Sequence, residues 1–254
     1  MWPDNLKNPC VICSKRCGEI QILDGFICKQ CMPKELLKSA DSLCTYQILA
    51  YHKTHKNSTW ANSEETTEKI SVDRYEDRSM VITPSSPISL VDDLNKQILT
   101  AESIDIVVSF ILCSGLNILI DSLTEFTVHG KLRVLTTTYL GATEYEALEQ
   151  LVSLPNTTVK IELNSLEHRL HAKAFLFNRS KDNSTAYVGS ANISKSALVA
   201  GEEWEVKLRE QDYAAPIEDV RRSFESLWNS SQFITVTKNN RALIESALMQ
   251  NKGQ

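Results

Sequence analysis

Residues 171–192, HAKAFLFNRSKDNSTAYVGSAN, hold two short apolar runs, 171–177 and 185–189, joined by a polar, turn-rich segment. Aromatic and aliphatic runs of this length bounded by turn residues predict strands. A strand period of two puts His171 and Lys173 on one face, so both can address one ligand. Working outward, similar runs recur at 104–110 (IDIVVSF), 131–137 (KLRVLTT), 158–163 (TVKIEL) and 203–209 (EWEVKLR). Between them, SLVDDLNKQILTA, GLNILIDSLTEF and TEYEALEQLVSL repeat apolar residues at helical spacing, as do PIEDVRRSFESLWNS and NRALIESALMQ near the C-terminus. This alternation predicts a layered α/β domain over residues 89–254.

The second run ends in Gly189-Ser190-Ala191-Asn192. A glycine turn into a helix offers an anion its backbone N–H groups together with the Ser190 and Asn192 side chains. Imidazole, ammonium, hydroxyl and amide converging on one point can hold and attack a phosphate: His171 as nucleophile on phosphorus, Lys173 and Asn192 on the non-bridging oxygens. His129-Gly130-Lys131 has the same His-x-Lys spacing, but its glycine predicts a surface turn, and no Gly-Ser-x-Asn follows it at the right distance.

These residues resemble the phospholipase D superfamily, whose signature is His-x-Lys-x4-Asp-x6-Gly-Ser-x-Asn. IDIVVSFILCSGL, LRVLTTTYLGATEYEALEQLV and GSANISKSALVAGEEWEV are similar to recurring segments of the branch found in restriction endonucleases and at the ends of bacterial helicases. The resemblance implies an α-β-α sandwich with a mixed sheet. It also implies a downstream acid that orients the catalytic histidine, and this falls on Glu203 rather than Glu202. Two departures stand out: the family's Asp falls on Asn178, and Gly-Ser comes four residues late, so the connecting hairpin is longer. Asp182 lies in that hairpin and is expected to be a solvated loop residue.

Hydrolysis by this chemistry takes two histidines, one to attack phosphorus and one to protonate the leaving oxygen and then activate water. The chain supplies one credible copy of the motif. The expectation is therefore a symmetric homodimer in which His171 of each subunit meets across the two-fold axis. The resemblance implies no catalytic metal.

Five of the seven cysteines (Cys10, Cys13, Cys17, Cys28 and Cys31) fall in the first 31 residues. The opening residues lack the apolar core of a signal peptide, so the cluster reads as a metal site rather than a disulfide framework. Cys10-x2-Cys13 and Cys28-x2-Cys31 predict a closed, structural four-thiolate Zn2+ site, with Cys17 a spare thiol. This stretch is similar to a small bacterial cysteine-rich domain of unknown function. The expected organisation is a zinc module over 1–56, a polar linker over 57–88 whose VDRYEDRSMVI segment is able to form a strand, and the phospholipase D-like domain over 89–254. His52 and His55 are not expected to bind metal, and Cys44 and Cys113 are expected to be buried thiols.

A net charge of −5 and a pI near 5.6 exclude a general polyanion binder. Residues 168–195, however, carry Arg169, Lys173, Arg179, Lys181 and Lys195 against Asp182, a net +4 able to attract a phosphodiester backbone. No run approaches the roughly 18 apolar residues of a membrane span. The leading expectation is a cytoplasmic DNA nuclease of a restriction or defence system, with a helicase or methyltransferase encoded separately. The alternatives are a catalytically silent DNA-binding or assembly module accompanying a helicase, suggested by Asn178, and a lipid phosphodiesterase.

Overall fold

The computed structural model describes residues 20–22, 25–27, 32, 34–42, 78–163 and 169–252. The chain divides into two units, Met1–Ile70 and Ser71–Gln254. In the first, β1 (Ile20–Ile22) and β2 (Gly25–Ile27) pair as an antiparallel hairpin, and a 3₁₀ helix follows at Lys34–Ser42. Ile22, Ile27, Met32 and Ala40 are buried. Cys10, Cys13, Cys28 and Cys31, assigned to zinc, lie outside the described residues, as do Cys17, Cys44, His52, His55 and 57–77 of the linker.

The second unit is built on one eight-stranded sheet. Its strands are β3 (Met80–Ile82), β4 (Ser103–Val107), β5 (Lys131–Thr137), β6 (Thr157–Glu162), β7 (Ala174–Asn178), β8 (Thr185–Gly189), β9 (Glu205–Arg209) and β10 (Phe233–Thr235), in the spatial order β10-β6-β5-β4-β7-β8-β9-β3. The helices are α1 (Leu90–Thr100), α2 (Cys113–Thr127), α3 (Tyr145–Ser153), α4 (Ala214–Trp228) and α5 (Arg241–Gln250). β4, β5 and β6 are parallel because α2 and α3 carry the chain back between them; every other pairing is antiparallel. The sheet is thus mixed, as the family resemblance implied.

Two strands lie outside the six runs read as strands, though the first falls in the VDRYEDRSMVI segment held able to form one. β3 sits within the stretch assigned to the linker and pairs with β9, so the sheet unit begins before residue 89. β10 follows α4 and pairs with β6. Both are three residues long, too short to display a period.

Helices cover both faces. Ser89 caps α1 by accepting from the Asp92 N–H at 3.0 Å, and Asp92 and Asp93 complement the helix dipole in the first turn. On that face the buried Asp93 carboxylate accepts from the Tyr187 hydroxyl (2.6 Å) and from Lys207 Nζ (3.0 Å to Oδ1, 2.8 Å to Oδ2). On the opposite face α4 lays Ile217 and Val220 on Leu176, Ala186 and Leu208, and Phe224, Leu227 and Trp228 on Val107, Leu135, Leu170 and Ala174.

Asp93 and Lys207 have no route to solvent, so each charge depends on the other. Lys207→Met strands the carboxylate and is expected to lower the unfolding free energy by about 3–5 kcal/mol, measured by urea titration. A loss under about 1 kcal/mol, the scale of an exposed pair, would contradict the assignment.

Candidate active site

His171 and Lys173 lie on the extended lead-in to β7 rather than inside the strand as predicted. Because β7 runs antiparallel to β4, with Val107 opposite Ala174, this lead-in meets the carboxyl end of β4. Here a parallel strand gives way to an antiparallel one, and the carboxyl ends of such strands form the crevice where open α/β sheets hold ligands. Lys173 is 5% exposed, whereas His171 is open to solvent. Lys173 Nζ donates to the His171 carbonyl oxygen at 2.8 Å and lies 3.0 Å from His171 Nδ1. An ammonium can only donate, so this contact leaves the proton of a neutral imidazole on Nε2. Phe110 packs edge-on to the imidazole, with ring centroids 6.5 Å apart. Burial draws the Lys173 ammonium below its usual range, opposed by the negative charges of Glu203 and Glu205.

The Gly-Ser-x-Asn turn is pinned on every side. Gly189 N–H donates to the Lys173 carbonyl (3.3 Å), Ser190 N–H to the Trp204 carbonyl (3.2 Å), and Ala191 N–H to Glu205 Oε1 (2.7 Å). The backbone donors expected to cradle an anion are therefore already engaged by strands β7 and β9. No helix begins at Asn192 either: Ile193 bridges Ile111, and a single π-helical turn follows at Ser196–Ala200. Anion binding falls to side chains. Ser190 Oγ accepts from Trp204 N–H at 3.1 Å and keeps its own hydrogen to donate. Asn192 Oδ1 accepts from Phe110 N–H at 3.0 Å, so the amide presents its NH2 as the outward group.

Gly189 is required by space. A Cβ there would stand 2.1 Å from the Trp204 carbonyl oxygen and 2.6 Å from the Glu205 carboxyl group. Gly115 has the same role at the start of α2, where a Cβ would lie 2.3 Å from Ser194 N.

The acid buried against the turn is Glu205, two residues beyond the predicted Glu203. Glu205 is 1% exposed, pairs in register with Gly189 and holds the turn through Ala191. Glu203, two residues earlier, is partly exposed and acts on Lys173 through its charge. Strand alternation puts Glu203 and Glu205 on one face, and the register of β9 against β8 sets Glu205 beside Gly189. Burial raises the Glu205 carboxyl to about 7, assisted by Glu203 and opposed by the Ala191 and Ser190 N–H groups and by Lys173. Its Oε2 is buried with no hydrogen-bond partner.

Asn178 is remote from this chemistry. It lies seven residues beyond His171, roughly 23 Å along an extended chain, where its Nδ2 donates to Asp105 Oδ2 at 3.1 Å. Asp105 in turn holds Arg133 through two hydrogen bonds (2.6 and 2.9 Å), and Arg133 also binds Glu225. An Asp at 178 would face the Asp105 carboxylate, so an amide suits the position.

The predicted +4 cluster also divides. Arg169 and Lys195 are exposed beside the site. Arg179 and Lys181 lie at the other end of the β7–β8 hairpin, where Arg179 donates to the Gln97 and Thr100 carbonyls at the end of α1. Asp182 is exposed in that hairpin, as expected. His168 lies outside the described residues. His129-Gly130-Lys131 forms a turn sealed by Phe126, whose ring a Gly130 Cβ would strike at 2.1 Å. Cys113, at the start of α2, is partly exposed rather than buried, with its thiol pushed up to about 11 by burial and Glu144.

Residues 94–228 match the family described as cardiolipin synthase, PLD-like domain. Among solved structures the chain is similar to NucT from Helicobacter pylori (16% identity, TM-score 0.49, 63% of this chain and 99% of that one). It is also similar to Nuc from Salmonella typhimurium, described as a phospholipase D family member (17%, TM-score 0.47, 63% and 100%). A third likeness is to phosphatidylserine synthase from Haemophilus influenzae Rd KW20 (10%, TM-score 0.44, 68% and 44%). No curated protein matches the chain in sequence.

Two outcomes follow from this geometry. Gly189→Ala is expected to destabilise the unit by about 1–3 kcal/mol, the range for overpacking, and a variant as stable as wild type in thermal unfolding would contradict the close approach. For Glu205 the folded pKa of about 7 exceeds the ordinary 4.5. The folded state thus binds the proton more tightly, and stability is full below pH 4.5 and falls as pH rises to 7. Glu205→Gln is expected to remove that slope in unfolding titrations across the window. A variant that keeps the slope would show that another group is responsible.

Proposed function

Since the chain belongs to the phospholipase D-like family described as cardiolipin synthase, PLD-like domain, we propose that it is a phosphodiesterase in which His171 attacks phosphorus. The observation that carries this reading is the juxtaposition of the His171–Lys173 pair with the Ser190 and Asn192 donors, on a turn that Glu205 holds from behind. Lys173 Nζ, the Ser190 hydroxyl and the Asn192 NH2 receive the non-bridging oxygens, whose negative charge grows as the nucleophile adds. A bond forms between His171 Nε2 and phosphorus as the P–O bond to the leaving group breaks, giving a phosphohistidine. A second histidine protonates the departing oxygen, then draws a proton from water as the water displaces the enzyme nitrogen.

The tautomer at His171 bears on how those roles are shared. With Lys173 donating to Nδ1, a neutral imidazole carries its proton on Nε2, whereas the acid that protonates the leaving oxygen is the imidazolium, protonated on both nitrogens. The nucleophilic form needs the proton on Nδ1, and Lys173 turned from the imidazole to the arriving phosphate. One chain contributes one such histidine, so we assign the complete site to two copies, with His171 of each facing the other.

For the substrate we propose DNA, cleaved in a restriction or defence setting. Arg169 and Lys195 support this choice: both are exposed, and they flank the site two residues before His171 and three after Asn192. The reading of a silent binding module drew on Asn178, and the pairing of Asn178 with Asp105 on the scaffold supports catalysis over that reading. Positive charge on the phosphate comes from Lys173 and neutral donors, so the proposed step runs without a metal.

Purified protein is expected to cleave plasmid or single-stranded DNA equally well with and without EDTA, and His171→Ala to lower the rate at least ~10³-fold while remaining folded by circular dichroism. Cleavage unchanged in His171→Ala would overturn the mechanism, and DNA retention without cleavage would favour the binding module.

A further inference from the structure

The end of the β7–β8 hairpin away from His171 lines a cavity of about 370 Å³ together with α1 and β9. Four cations face it from three elements: Lys96 on α1, Arg179 and Lys181 in the hairpin connection, and Arg209 at the end of β9. Among the described residues the one lining carboxylate is Glu102. It accepts from the Ser180 N–H (3.1 Å) and hydroxyl (2.7 Å), bonds that hold its carboxyl below the usual range and keep it ionised. Lys96 and Arg209 keep further contacts of their own, so the weight of the site falls on Arg179 and Lys181.

Arg179 gives its Nε and Nη2 to neutral oxygens: Thr100 O and Oγ1 (3.0 and 2.6 Å) and Gln97 O and Oε1 (3.0 and 2.8 Å). Nη1 reaches only the Asn183 carbonyl and the Thr185 hydroxyl, both at 3.5 Å, longer than a good hydrogen bond. Among the described residues no carboxylate bonds to this guanidinium. Burial draws it below its ordinary range, opposed by Tyr187, Glu102 and Asp93. A part-buried cation without an ionic partner is unfavourable, and an anion at Nη1 relieves it. Lys181 adopts φ 61°, left-handed backbone that hairpin turns ordinarily give to Gly, Asn or Asp, so a lysine stands there against conformational preference.

We propose that this cavity binds a small oligophosphate, either the phosphate chain of a nucleotide or an inorganic chain. The site is separate from the one at His171 and does not depend on the catalytic reading. A planar guanidinium fork beside lysine ammonium groups is the pairing that phosphate oxygens take best. The volume falls within the roughly 300–1,000 Å³ of small-molecule sites. Gln211 and Asn183, hydrogen-bonded to each other at the rim, supply amides that a base can meet. A nucleic-acid strand suits the cavity less well. The five residues of β7, roughly 17 Å, separate it from the His171 end, and a strand seated there would have to cross the sheet to reach it.

The test is isothermal titration of the full-length chain, in EDTA and at fixed salt, with ATP and with inorganic tripolyphosphate as probes. Wild type is expected to bind at least one probe with a dissociation constant below about 1 mM. Lys181→Gln and Arg179→Gln, checked for folding by circular dichroism, are each expected to raise that constant at least about tenfold. Lys181 is exposed in its turn, so if Arg179→Gln unfolds, Lys181→Gln decides alone. His171→Ala is expected to bind as wild type does. Equal affinity for the two probes assigns the binding to the phosphate chain, and tighter binding of ATP adds a seat for the base; both support the proposal. Binding of neither probe overturns it, as does wild-type affinity in a folded variant. Loss of binding in His171→Ala overturns it by placing the probe at the catalytic site. A single-stranded oligonucleotide that displaces ATP with the same dependence on Lys181 assigns the cavity to nucleic acid and overturns it as well. A chain that binds the probes at Lys181 but hydrolyses no phosphodiester keeps this site and sinks the catalytic reading alone.

Discussion

Gly189 N–H donates to the Lys173 carbonyl at 3.3 Å, tying the end of β8 to the lead-in of β7, and the rest of the site is arranged around that tie. It continues the register that pairs Ala174 with Val188 and so leaves His171 and Lys173 just outside the sheet. The residue making the bond has no side chain, which lets the Trp204 carbonyl and the Glu205 carboxyl close on it from β9. Those two groups then take the N–H groups of Ser190 and Ala191. A turn with its backbone consumed in this way is rigid, and it presents the Ser190 hydroxyl and the Asn192 amide as fixed donors. Preorganised donors of this kind stabilise developing charge without the cost of reorienting during the reaction.

The same hairpin serves two ends of the sheet differently. At its open end, near Thr185, Lys181 and Asp182 adopt left-handed backbone (φ 61° and 57°), and Arg179 donates to the Gln97 and Thr100 carbonyls at the end of α1. Asn178 joins Asp105, Arg133 and Glu225 in a polar network that also lies against Phe224 and Trp228 through the Arg133 guanidinium. These residues hold the scaffold. The histidine end holds the reactive groups, and the buried Asp93–Lys207–Tyr187 contact stands between the two ends, on the face that α1 covers.

Among the described residues, one chain brings one histidine to the site. The ammonium beside it puts the proton of a neutral imidazole on Nε2. Glu205 is raised to about 7 in a pocket that leaves one of its oxygens without a partner. In the reading proposed above one histidine attacks and a second carries the proton, and two identical chains would supply the pair.

By itself the sequence determined the layered α/β architecture, six of the eight strands of the large sheet, its five α-helices, and the meeting of His171, Lys173, Ser190 and Asn192. Those features rest on local periodicity and on a motif whose parts lie on adjacent strands, where two-residue alternation decides which side chains meet. Tertiary structure decided the rest. Glu205 is the carboxylate that closes on Gly189, because strand register, not spacing, sets which one lies there. The backbone donors of the turn went to β7 and β9, neighbours that local sequence does not announce. The +4 segment separated into two ends about a strand's length apart, since charge counted along a chain is not charge gathered in space. Among the described residues, the exposure of Val81, Val188 and Val206 follows from where α4 crosses the sheet, a consequence of long-range packing.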